Sequence, residues 1–238
     1  MNLLPFIFIV VMFVLVPRGA LRTARQVREM RAEGKPLPRM RVLLSTGFAM
    51  VIYWFLASIN AQAMGRGLFA VPVLGLREVG IGIGAFAVLL TAIPVSQVLR
   101  TPEQRRKQLV YSLAPRNAKE FAGFALLAVM AGIAEEAAYR GVAVWILTTT
   151  FGNVVPAILL AAAAFAVSHA VQGGRSMAVI FGIALVFHAT VQLTETLVIA
   201  MVIHTAYDLV AGVVAGREAR IFEAAAGVSA PPAAPTSA

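Results

Sequence analysis

Apolar runs of roughly membrane-spanning length alternate with short polar or basic links along most of this chain. The first run covers residues 3–16, the second and third 42–62 and 79–99, and a longer one extends from about Glu120 to Phe151. Runs at 154–172, 177–193 and 196–216 follow, divided by Gly173-Gly174-Arg175 and by Leu193-Thr194-Glu195. About 20 apolar residues in a helix cross a hydrocarbon core of about 30 Å. The pattern therefore predicts an all-α, multi-pass integral membrane bundle of about seven transmembrane helices, or eight if one run re-enters. The first run has no basic stretch before it and no small-residue cleavage site after it, which reads as a retained anchor rather than a signal peptide. The Glu120–Phe151 run is long for one crossing, because thirty residues make roughly 45 Å of helix. It is expected to tilt, to extend past the membrane, or to break at Gly132 or Gly141.

The polar links carry most of the charge. Eight of the 20 basic residues lie between Arg18 and Arg41, and six more between Arg100 and Lys119. Both clusters flank apolar runs, so the positive-inside rule puts them in the cytoplasm, with the N-terminus outside and the C-terminus inside. Arg18, Arg22, Arg25, Arg28 and Arg31 recur every three or four residues opposite Leu21, Val27 and Met30, the pattern of a basic amphipathic helix on an anionic lipid surface. The expected location is the cytoplasmic membrane of a bacterium. Three regions are expected: membrane region 1–118, core 119–215, and disordered Ala/Pro-rich tail 216–238. Composition agrees with the pattern, at 60% hydrophobic and 13% charged residues over 238 positions. The net charge of +9 comes from the loop clusters and lacks interleaved aromatics or a binding motif, so no nucleic-acid partner is expected. The chain has no cysteine, which excludes disulfides, thiol catalysis and Cys-based zinc sites.

Three of the apolar runs contain charged or titratable residues. Glu135, Glu136 and Arg140 lie in one, His169 in a second, and His204 with Asp208 in a third. A charge in the bilayer core costs roughly 2.5–3.5 kcal/mol, so these groups are expected to meet inside the bundle and to mark a functional site. Glu136 and Arg140 are four apart, as an ion pair on one helix face requires. Glu135 is then left as the working carboxylate, able to act as a general base on water. His204 and Asp208 are also four apart, so the carboxylate can orient the imidazole. His188 has no acidic partner at helical spacing and is read as a hydrogen bond to a neighbouring helix.

Glu135-Glu136-Ala-Ala-Tyr-Arg140, Phe165-Ala-Val-Ser-His169 and His204-Thr-Ala-Tyr-Asp208 resemble, in this order, the EExxxR, FxxxH and HxxxN/D motifs of the CAAX protease and bacteriocin-processing family of intramembrane proteases. The resemblance covers about residues 119–213. It implies an all-α multi-pass fold and an endopeptidase that hydrolyses peptide bonds near the membrane, with a prenylated or unprenylated peptide or protein substrate and membrane lipid around it. It also implies that Glu135 and His169 activate water and that His204 with residue 208 stabilises the oxyanion, while Glu136, Arg140 and Phe165 support the site. Asp208 departs from the Asn of the prenyl-protein enzymes, and an ionised Asp cannot donate a hydrogen bond. Metal-free glutamate catalysis is the expected chemistry, with no cofactor. The alternative is zinc held by Glu135, His169, His204 and Asp208, although no HExxH spacing is present. Two other function classes remain in view: a non-catalytic scaffold or bacteriocin-immunity partner, and a proton-coupled transporter using the same charges.

Overall fold

A computed structural model of the chain describes residues 3–35, 37, 39–71, 74–106, 111 and 113–225. Among these residues the fold is helical throughout, and the helices are α1 (Leu3–Ala32), α2 (Arg39–Ala63), α3 (Leu76–Val98), α4 (Pro102–Arg106), α5 (Ala118–Phe151), α6 (Val154–Ser168), α7 (Gly174–Thr194) and α8 (Leu197–Ala225). Six of them, all but α4 and α6, are long and apolar enough to cross a membrane, and α6 is a shorter apolar helix of 15 residues. The fifth predicted run, 154–172, is thus α6 followed by a 3-10 turn, Ala170–Gln172.

Small residues line the interior. Ala57, Ala137, Ala138, Ala157, Ala161, Ala162, Ala184 and Ala200 are fully buried, which lets helix backbones approach closely. Large apolar side chains such as Phe48, Phe55, Ile83, Leu126 and Val202 point outward instead. A soluble protein would not leave so many exposed together; a lipid solvent accounts for them.

Hydrogen bonds tie the helix ends into two sets. At one end Arg39 of α2 reaches the Ala114 carbonyl (2.8 Å) and Glu120 of α5 (2.7 Å), Gln97 of α3 reaches Glu218 of α8 (2.6 Å), and Arg100 reaches Ser176 of α7 (2.8 Å). At the other, Thr196 bonds the Ala70 carbonyl (2.8 Å) and Arg77 the Leu193 carbonyl (3.1 Å). The first set gathers the basic links, and we call it the basic end.

The structure departs from the sequence pattern in three places. The basic stretch 18–31 is not a separate surface helix but the continuation of α1, with Ala24 and Val27 buried as α1 packs against α6 and the 3-10 turn. Pro17 lacks the N–H that an unbroken helix would use, and a π segment at Val11–Leu15 accommodates it without a break. The long fourth run does not break at Gly132 or Gly141 but continues as α5, with a π segment at Glu136–Ala143. Helix α8 runs through to Ala225, well into the segment expected to be disordered from Gly216. Its last turns are anchored by Glu218, which meets Tyr111, Gln97 and Arg105, and by Glu223, 2.8 Å from Arg116. Residues 226–238 of the expected tail lie outside the described residues.

Candidate active site

Glu135 is the last α-helical residue before α5 widens into its π segment, which begins at Glu136 and includes Arg140. Such widenings insert an extra residue into a turn and occur frequently at functional sites. Every residue of the segment is buried. Helix α8 crosses α5 one turn earlier, at Gly132. A Cβ there would stand 3.0 Å from the Met201 carbonyl oxygen and the Thr205 amide nitrogen, and closer still to Thr205 Oγ1. Only glycine allows this approach, and the approach carries His204 onto the two glutamates.

His204 Nδ1 lies 2.7 Å from Glu136 Oε1. Its Nε2 lies 3.8 Å from Glu135 Oε2 and 3.6 Å from Asp208 Oδ2. A carboxylate oxygen only accepts, so Nδ1 carries a hydrogen and donates it to Glu136. The ring of Phe187, on α7, stacks on the imidazole at 4.8 Å. The same Glu136 oxygen is 3.0 Å from Arg140 Nη1, and both of those side chains are fully buried. This contact is an ion pair by distance, not a well-directed hydrogen bond. Arg140 Nε, Nη1 and Nη2 find no hydrogen-bond acceptor among the described residues. The guanidinium rests over the rings of Phe165 (4.2 Å) and Phe187 (5.1 Å), whose faces stabilise a cation away from water.

Two sequence expectations are refined by this geometry. Glu136 serves His204 as well as Arg140. The residue that orients His204 through a hydrogen bond is Glu136, not Asp208, which at 3.6 Å from Nε2 is too far for one. His188 also differs from its expected role: it is buried, and neither ring nitrogen finds a hydrogen-bond partner among the described residues.

His169 follows the last turn of α6 and has already left helical geometry, with φ −97° and ψ 17°. Its Nδ1 lies 2.9 Å from the Phe165 carbonyl oxygen and 3.1 Å from Ser168 Oγ. The carbonyl can only accept, so Nδ1 bears the hydrogen and Nε2 is the ring nitrogen left to face the site. Phe165 packs on the same ring at 4.7 Å, and Tyr139 packs edge-on to Phe165 at 5.1 Å. Glu135 and Asp208 both face His204 Nε2, and Asp208 is near enough to His169 to feel its charge. The Asp208 side chain is 31% exposed, against 10% for Glu135 and 7% for His204, so Asp208 is the most open of these three.

Phe187 was not apparent from the sequence, because nothing at helical spacing distinguishes it from other apolar residues of α7. The same donors bear on the zinc alternative. Among the described residues no group of three or more His, Asp or Glu side chains is arranged to hold a metal ion, so the proposed zinc set does not fit and no step is routed through a metal.

Fold and site together define a helical integral membrane protein with a buried carboxylate–imidazole centre. Residues 117–210 match the model of the family described as type II CAAX prenyl endopeptidase, Rce1-like. The matched segment runs from the cap of α5 to just past Asp208 and includes all three motifs. It supports a membrane endopeptidase. No curated protein and no solved structure matches the chain.

Proposed function

We propose that the protein is a glutamate-type intramembrane endopeptidase that hydrolyses a peptide bond with water activated by Glu135 and His169. The observation that carries this reading is the buried imidazole of His204, held by Glu136 at Nδ1 while its Nε2 faces Glu135 and Asp208. Glu135 takes a proton from water, aided by the Nε2 lone pair of His169, and the hydroxide adds to the scissile carbonyl carbon. The developing oxyanion is met by His204 as an imidazolium donating from Nε2, with Glu136 as its counter-charge. Preorganised donors of this kind contribute roughly 2.7–4 kcal/mol each. Glu135 then returns the proton to the leaving amine. Asp208 keeps its carboxylate near the imidazolium and orients it by charge. The basic end lies on the cytoplasmic side in this reading, and the substrate is a membrane-associated peptide or protein segment.

The test is cleavage by the purified protein of a panel of membrane peptides, prenylated and unprenylated, with and without a chelator. Chelation is expected to leave the rate unchanged. Asp208→Asn is expected to be tolerated or faster, because Asn keeps the shape and adds an N–H donor for the oxyanion. Activity lost on chelation and restored by zinc, together with an inactive Asp208→Asn, would overturn the glutamate mechanism. A pure, folded protein that cleaves no member of the panel would return the scaffold reading to first place.

A further inference from the structure

Away from the catalytic centre, at the basic end, a cavity of about 280 Å³ opens between the last turns of α1, the start of α7 and the link after α3. Four arginines line it: Arg28 and Arg31 from α1, Arg100 after α3, and Arg175 from α7. None of the described residues lining it is acidic. Two of the four are fixed in place. Arg100 donates to the Ser96 carbonyl (2.7 Å) and to Ser176 Oγ (2.8 Å), and Arg175 donates to the Leu99 carbonyl and Gln104 Oε1, both at 3.1 Å. Arg28 and Arg31 make no hydrogen bond or ion pair among the described residues and so retain their full donor capacity. Burial, and then the neighbouring Arg175 guanidinium, hold Arg100 below its ordinary range, as expected where positive charge is gathered.

We propose that this cavity is a binding site for a phosphate group, most simply the headgroup of an anionic glycerophospholipid at the membrane surface. Guanidinium forks match phosphate oxygens two at a time. Four cations exceed what a single peptide carboxylate would neutralise and suit a group with several charged or partly charged oxygens. The cavity has several times the volume of a water, whose share of the liquid is about 30 Å³. Its position supplies the source: it sits where three helices end, on the continuation of a membrane helix whose Arg18, Arg22 and Arg25 also face outward. Backbone amides at the start of α7 add donors beside Arg175.

The site can be tested without reference to proteolysis. Full-length protein, stripped of lipid in detergent, is titrated with phosphatidylglycerol, with phosphatidylcholine and with inorganic phosphate at constant ionic strength, and the melting temperature is followed. Phosphatidylglycerol is expected to stabilise at the lowest concentration. Its apparent affinity should fall about fivefold for each arginine removed, hence about 25-fold in Arg28→Gln/Arg31→Gln. Neither residue carries a bond the fold needs, so this variant should remain folded. The control Arg22→Gln/Arg25→Gln, on the same helix but outside the lining, should change affinity by less than about twofold. Equal, arginine-dependent stabilisation by inorganic phosphate supports the phosphate site and assigns it to free phosphate. Equal losses in the two double variants would overturn the proposal in favour of diffuse surface attraction. It also fails if Arg28→Gln/Arg31→Gln leaves the affinity for phosphatidylglycerol unchanged.

Discussion

Glu135→Gln is expected to lower the rate of peptide cleavage by about 10²–10⁴-fold, the usual contribution of a general base, while leaving the melting temperature nearly unchanged. The two halves of this expectation have separate causes. Gln cannot take a proton from water, so the chemical step loses its base. Yet among the described residues Glu135 makes no hydrogen bond: its carboxylate stands 3.8 Å from His204 Nε2 and keeps 10% of its surface open. The amide is nearly isosteric and introduces no unpaired charge. Single-turnover cleavage alongside a thermal melt measures both quantities. A Glu135→Gln protein that cleaves at the wild-type rate would remove Glu135 from the chemistry altogether.

Glu136→Gln is expected to show the opposite balance, with a melting temperature lowered on the order of 10 °C and activity lost as a consequence. Removing one partner of a buried ion pair costs about 3–5 kcal/mol, because the other charge is left buried alone. Here the orphan is Arg140, fully buried, stabilised among the described residues by the Glu136 carboxylate and two aromatic faces. The double change Glu136→Gln/Arg140→Met removes both charges and should recover most of the stability. It should not recover cleavage, because a neutral amide at position 136 is a weaker partner than a carboxylate for an imidazolium at His204. Thermal melts and cleavage rates of the two variants separate these contributions. A Glu136→Gln protein with unaltered stability would show that the pair does not hold the fold.

Much of this centre can be read from spacing alone. Charges four residues apart in apolar runs identified Glu136 with Arg140 and His204 with Asp208, and lipid energetics required that the three runs meet. What spacing does not show is contact across the chain. The bond from Glu136 to His204 joins residues 68 positions apart and depends on a close helix crossing at Gly132. In the sequence Gly132 is only one possible break point; its packing role appears once α8 lies against it. Phe187 escaped notice because an aromatic residue in an apolar helix carries no positional signal, although its ring covers both His204 and Arg140. The last turns of α8 were unreadable for the same reason. Ala-rich residues after Gly216 look unstructured until Arg105 and Arg116, more than 100 positions earlier, meet Glu218 and Glu223.

The shortness of α6 bears on how a hydrolase obtains its second substrate. Fifteen residues rise only about 22 Å, some 8 Å less than an average hydrocarbon layer, and His169 stands at the end where the helix stops. Past it the chain turns through Gln172, Gly173 and Gly174 to Arg175, polar backbone that the acyl region does not tolerate unsolvated. Lipids beside α6 are therefore expected to shorten or tilt, drawing the headgroup plane inward toward the imidazole. On the proposed mechanism, the bilayer is expected to be thinnest beside the imidazole that helps to activate water. Cleavage in vesicles of graded acyl-chain length should be fastest in the thinner bilayers and slow as the chains lengthen; a rate independent of thickness would mean that water arrives by another route.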